Sequence, residues 1–296
     1  MSSRAKAYLA LLVVSLIWGI ALPLVKPALS FVSPYQFLYF RYLIAAPLLL
    51  PVLFFYAFKL KLSFKTYLKI IALEILGTPI ALPILYQGLK LTSGLEASLL
   101  GATGPLFTIL GGIIFLKEHE SKREWRGLVL SFFGTLILVF EPLLTGKNHL
   151  LGFSLLGNLL ILGHNLLNTV YLLLAKKLYR KLPKLLVCSI SYPIALSSLW
   201  LVLIFSNQST ALTLLSIPSV ALASGYMAIF GSIIALFLLL YGQNLIEVSE
   251  ASLFTYLNGI IAIPAAWFFL KEIPTWPMGL AIIFIAYGVF LAEKRV

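Results

Sequence analysis

Three ionisable side chains, Arg41, Glu74 and His164, stand inside long apolar runs, and a fourth, Glu96, stands near the end of one. In hydrocarbon such groups are costly unless they face the protein interior or water, so each marks a candidate site for a solute or a proton. They do not form the constellation of an enzyme. Bond-making chemistry in a membrane requires a clustered metal set or a nucleophile beside its base. The only histidines are His119, His149 and His164, the first two in loops, and no close carboxylate pair falls within a run. There is no Walker A sequence, so nothing points to ATP as an energy source. One cysteine, Cys188, supports neither a disulfide framework nor a thiol metal site, and no metal or other cofactor is expected.

The densest polar group is Asn158, His164, Asn165, Asn168 and Thr169. At 100° per residue these fall within an arc of about 140°, one face of one helix. A stripe of this kind cannot face lipid. It either bonds helix to helix or lines a cavity for a hydrogen-bonding solute, and the second alternative is preferred; His164 is in addition a candidate titrating gate. Glu74 has Gly77, Thr78 and Ala81 on its side of the helix, small neighbours that leave room for a cavity. It is a candidate proton or cation carrier; the alternative is a carboxylate reaching water or pairing with Lys69. Arg41, about 10 Å along the helix from Pro34, is either an interior group bonded to carbonyls or to Glu96, or an anion-attracting group at a gate.

Trp18 lies mid-run beside Gly19, and Tyr86, Tyr226, Tyr241 and Tyr256 add aromatic surface suited to a small-molecule pocket. The candidate solute-binding set is therefore Trp18, Glu74, Thr78, Tyr86, His164, Asn165, Asn168, Tyr226, Tyr256 and Asn258, with Arg41 and Glu96 as gating or structural polar groups. Gly101, Gly104, Pro105, Gly111 and Gly112, with Gly259 and Pro264, are hinge or close-packing positions.

These residues need a scaffold, and composition names its solvent. With 61% hydrophobic and 11% charged residues and a mean hydropathy of +1.02, the chain has far more apolar surface than one soluble core of 296 residues needs. Charge clusters and Pro/Gly/Asn groups divide it into runs near 8–29, 34–56, 67–89, 95–116, 124–141, 151–174, 184–205, 217–241, 248–270 and 275–292. A membrane helix needs about 20 apolar residues, and the runs lack two-residue alternation, so ten transmembrane helices are expected and not barrel strands. The first run is longer than the apolar region of a signal peptide and is taken as the first span.

Orientation follows from the basic residues. With the N-terminus in the cytoplasm, 17 of the 22 Lys and Arg fall inside; Lys26, Lys90, Lys147 and Lys271 fall outside, and Arg41 lies within a span. The net charge of +12 is thus a topology signal and not a nucleic-acid footprint, and both termini are expected in the cytoplasm.

The segment Ala81–Glu118 recurs 154 residues later as Ala235–Glu272, with fourteen of 38 positions identical, among them EASL (96–99, 250–253) and FLKE (115–118, 269–272). Two units follow, 1–145 and 146–296. Five spans per unit is an odd number, so the second unit must enter the membrane from the opposite side. The charges agree: the first FLKE leads into a basic loop, the second into IPTWP.

SLIWG at 15–19, SPYQFLYFRYLIAA at 33–46, EASLLGATGPLFTILGGIIFLKE at 96–118 and its second copy at 250–272 occur in an order that resembles the drug/metabolite transporter superfamily, in particular its EamA-type ten-helix exporters. The resemblance implies ten helices in two inverted five-helix units, a central cavity lined mainly by spans 1, 3, 4, 6, 8 and 9, and peripheral fifth and tenth spans. It also implies movement of amino acids, other small metabolites or drugs, usually outward. One departure is plain: where the spacing of Pro34 to Arg41 would place an arginine after Pro183, the chain has Ile190.

The expected protein is all-α, a multi-pass protein of the cytoplasmic membrane that exports small metabolites, amino acids or related compounds, by alternating access. A proton-coupled exporter of organic cations or drugs is the alternative, and a membrane enzyme or a scaffold the remote one. Its partners are a small-molecule substrate, the lipid bilayer and, as a coupling ion, the proton; no nucleic acid is expected, and the chain is a monomer or a weak homodimer.

Overall fold

A computed structural model describes residues 2–59, 63–116, 122–146, 151–179, 182–246 and 248–293. Lys61, Lys117, Glu118, His119, Lys147, His149, Arg180, Lys181, Lys294 and Arg295, used above for topology, repeat or chemistry, lie outside the described residues, as does the side chain of Glu250. All regular structure among the described residues is helical: α1 Ser3–Val25, α2 Pro34–Lys59, α3 Phe64–Ile75, α4 Leu82–Leu91, α5 Gly94–Gly101, α6 Gly104–Leu116, α7 Lys122–Val139, the short α8 Glu141–Leu144, α9 Leu151–Leu178, α10 Lys184–Phe205, α11 Pro218–Tyr226, α12 Ala235–Leu245, α13 Val248–Leu270 and α14 Trp276–Glu293.

Seven helical runs among the described residues are long and apolar enough to cross a membrane: Ser3–Ser30, Pro34–Tyr56, Phe64–Leu91, Gly94–Phe115, Ser154–Ala175, Leu185–Phe205 and Pro218–Leu245. Three shorter apolar helices cover Trp125–Val139, Phe254–Leu270 and Trp276–Gly288. Exposed apolar side chains such as Phe54, Phe133, Phe205, Trp267 and Ile283 coat the outside, a surface that lipid and not water satisfies. This is an all-α membrane protein.

Besides the first, which ends in a 3-10 turn at Ala28–Ser30, three of the runs are not continuous α-helices. Between α3 and α4 the backbone passes through a π-helical stretch, Leu76–Ala81, which contains Pro79. Proline has no N–H to return to the carbonyl four residues back, and the wider register accommodates the gap. A second π-helical stretch, Met227–Ile234, separates α11 from α12, with Ser232 Oγ donating to Met227 O at 2.8 Å. The third interruption lies between α5 and α6, where Pro105 deprives Gly101 O of its helical partner; Thr103 N–H turns back onto Leu100 O at 3.0 Å.

Packing places these interruptions at the centre. α2 packs along α10 and α7 along α14, whereas α1 lies against α12 and α13, and α9 against α4, α5 and α6. The α4–α9 approach depends on glycine: a Cβ at Gly88 would lie 2.7 Å from Gly157 O, and one at Gly157 would lie 2.9 Å from Gly88 O. Two backbones in direct contact align the polar face of α9 with the bent helices opposite.

Candidate functional site

Helix α9 carries polar side chains at three depths, spread over about 20 Å from Asn158 to Tyr171 at 1.5 Å per residue, with Tyr179 just past its end. At one end Asn158, fully buried, donates from Nδ2 to Glu96 Oε1 at 3.1 Å and to Leu138 O and Val139 O at 3.3 and 3.2 Å. Thr92 Oγ1 lies 2.8 Å from both Glu96 Oε2 and Asn158 Oδ1. Glu96 also closes a capping box with Ser93 at the start of α5. This tier is saturated, so it ties helices together.

In the middle, His164 and Asn165 reach the two interruptions of the helices opposite. His164 Nδ1 lies 2.9 Å from Ala81 O, in the first π-helical stretch; a carbonyl only accepts, so Nδ1 carries the proton. Asn165 Nδ2 donates to Leu100 O at 2.9 Å and to Thr103 Oγ1 at 3.3 Å, at the break between α5 and α6. Asn168, one turn on, is half-buried, and Thr78 is buried within the π-helical stretch.

At the far end, Glu74 of α3 is 2% exposed and takes hydroxyls from α9 and the residue just past it: Tyr171 donates to Oε1 at 3.2 Å, and Tyr179 bonds the same oxygen. Among the described residues no lysine or arginine pairs with it. The alternative in which Glu74 reaches water or pairs with Lys69 does not describe it: two tyrosines 97 and 105 residues away bond it.

The second π-helical stretch gathers side chains from the chain's first half. Trp18 Nε1 donates to Gly231 O at 3.1 Å, and Arg41 Nε to Ser232 Oγ at 2.7 Å. Arg41 Nη1 donates to Tyr86 OH at 3.2 Å, and its guanidinium lies 5.2 Å from the Tyr42 ring centroid. Its pairing with Glu96 does not occur, because the oxygens of Glu96 are occupied by Asn158, Thr92 and its own cap. Tyr192 OH adds a bond to Ser232 O at 2.6 Å. Thus His164 braces one π-helical stretch, and Trp18 and Arg41 brace the other.

The remaining candidates divide. Tyr226 OH donates to Ile17 O at 2.8 Å, and Tyr86 is locked between Arg41 and an edge contact with Phe37. Tyr256 and Asn258 are half-buried on α13, where Asn258 Oδ1 is buried without a hydrogen-bond partner among the described residues. Tyr241 is exposed and stacks on Phe237. Sequence reasoning missed Tyr171, Tyr179, Tyr192 and Ser232. The one available signal was Pro79 inside an apolar run.

The model of the EamA-like transporter family matches residues 5–140 and again residues 155–293. The chain belongs to the EamA-like transporter family. It is a membrane transporter by family, and relatives of it are named transporters. An "uncharacterized transporter" of Archaeoglobus fulgidus is 25% identical over 295 residues, 99% of each chain. The uncharacterized transporter YcxC of Bacillus subtilis is 28% identical, covering 92% of this chain and 88% of its own. A solved crystal structure superposes with a TM-score of 0.69 at 17% identity, covering 99% of this chain and all of the other, a likeness of fold. In this EamA-like transporter the middle tier of α9 and the two braced π-helical stretches are the parts whose polar groups meet interrupted helical backbone.

Proposed function

We propose that this chain is a secondary transporter of the cytoplasmic membrane that exports small metabolites, amino acids or related compounds, by alternating access. Ten helices cross the bilayer in two inverted units, 1–145 and 146–296, with both termini in the cytoplasm. The distribution of basic residues supports that orientation. The end carrying Lys26, Thr92 and Glu272 is then the outer end.

The observation that carries this reading is the middle tier of α9. His164 and Asn165 are buried in the bundle, and each bonds a carbonyl at a helix interruption. Interrupted helices at membrane depth are tolerated where protein or a solute satisfies their backbone groups. A solute that enters between α9, α4 and α6 exchanges hydrogen bonds with Asn165, Asn168 and the imidazole; Trp18, Thr78, Tyr256 and Asn258 complete its surroundings. Rocking of one half against the other moves the opening from one side to the other.

Glu74 is the proposed coupling group. A carboxylate among tyrosine hydroxyls and without a basic partner among the described residues is positioned to take up and release a proton as α9 moves. The test is efflux from proteoliposomes preloaded with labelled amino acids or with organic cations. Specific efflux of amino acids supports the proposal. Efflux of cations alone would replace it with the drug-exporter alternative.

A further inference from the structure

Three carboxylates bond across the two halves at the end assigned above to the outside: Glu96 to Asn158, Glu141 to Thr275, and Glu272 to α5, the one of the three that sits on a helix N-terminus of the other half. Glu272, just beyond α13, accepts from Gly94 N–H at 3.1 Å through Oε1 and from Leu95 N–H at 2.7 Å through Oε2. These are the first two residues of α5, and the N–H of the third, Glu96, is bonded to Ser93 Oγ at 3.0 Å. The first three amides of α5 are thus all taken, two of them by a side chain 177 and 178 residues away. A carboxylate there also complements the positive end of the helix dipole.

The backbone on both sides is arranged for this contact. Lys271 holds φ +57°, a left-handed conformation unfavourable for a residue with a Cβ. Its N–H returns to Trp267 O at 3.1 Å and that of Glu272 to Ala266 O at 3.3 Å, a turn that stops α13 and directs the carboxylate at α5. Opposite it, a Cβ at Gly94 would run into Leu270 Cδ1. The strand of chain leading into α5 is pinned in turn, since Lys26 Nζ donates to the carbonyls of Leu89, Lys90 and Thr92 at 2.6, 3.0 and 2.5 Å.

We propose that Glu272 is a positioning residue of the transport cycle, the latch of the outer mouth. Seated on α5, it holds the halves closed on that side, and its release opens the central site outward. This rests on the transporter reading and on the proposed orientation. Both oxygens are in use, so a glutamine meets one amide as acceptor and presents its own N–H groups to the other.

The chain suits a thiol-accessibility test, because its single cysteine, Cys188, is 1% exposed. Ser98, one turn into α5 and buried, accepts a Ser98→Cys reporter. A membrane-impermeant maleimide is added to right-side-out vesicles. Glu272→Gln is expected to raise the labelling rate of the reporter by about tenfold or more, the change that accompanies loss of a charge-assisted hydrogen bond. An unchanged rate in folded protein overturns the latch. Reaction only from the cytoplasmic side overturns the orientation, and with it the latch. Failure of transport with every solute would strike the transporter reading without altering the labelling result. Should Glu272→Gln not fold, Gly94→Ala displaces Leu270 and must raise the rate in the same way.

Discussion

Glu74 offers the sharpest separation of charge from structure. Tyr171 and Tyr179 both donate to its Oε1. Glu74→Gln keeps one acceptor oxygen for the two hydroxyls, removes the charge and puts an NH2 donor in place of the second oxygen. A charged acceptor is worth about 1 kcal/mol more per bond than a neutral one, but holding a charge in the bundle costs at least as much in lost hydration, so the variant is expected to be as stable as wild type or more so. Glu74→Ala strands two hydroxyls in the bundle at about 1–3 kcal/mol each, about 2–6 kcal/mol together. Thermal unfolding in one detergent ranks the three proteins: Ala below both wild type and Gln. In proteoliposomes, Glu74→Gln is expected to keep solute counterflow and to lose acceleration by an imposed pH gradient. Wild-type pH dependence in Glu74→Gln would refute proton coupling through this group, and equal destabilisation by Gln and Ala would refute the shared acceptor.

Further expectations concern the scaffold. Arg41→Lys replaces a fork that reaches Ser232 and Tyr86 with a point charge; it should cost about 1–3 kcal/mol, and a double-mutant cycle with Ser232→Ala should give a coupling of about 1 kcal/mol, where additive values would contradict the contact. Gly157→Ala puts a methyl 2.9 Å from Gly88 O and 3.0 Å from Thr92 N, so the helices must part and unfolding should be easier by about 1–3 kcal/mol; an unchanged melting temperature would contradict the close approach. Asn158→Ala removes the Nδ2 donor from the Glu96 carboxylate and two carbonyls, and should destabilise by about 1–3 kcal/mol or more, measured in the same unfolding assay.

The course of the helices was legible because apolar length and the positions of charges are properties of single segments. The one-sided stripe on α9 was legible for the same reason, since helical periodicity fixes azimuth within one helix. Partners were not legible. Arg41 and Glu96 were paired by depth alone, yet depth does not say which way a helix faces; Glu96 turns to its own cap and Asn158, while Arg41 turns to Ser232. The sequence places Lys69 along the same helix as Glu74, whereas the partners of Glu74 arrive from α9 and the residue after it. Pro79 marked an irregularity without specifying a kink or a π-helical turn, because that choice depends on what the neighbouring helix offers the freed backbone. The same holds for Glu272, a lone acidic residue in a loop until α5 stands opposite it.

The most direct measurement is counterflow of labelled amino acids in proteoliposomes, comparing wild type with His164→Ala. Specific counterflow in the wild type and its loss in the mutant is the predicted result, provided the mutant remains folded by its unfolding transition. Counterflow at the wild-type rate in His164→Ala would contradict a solute site on the middle of α9.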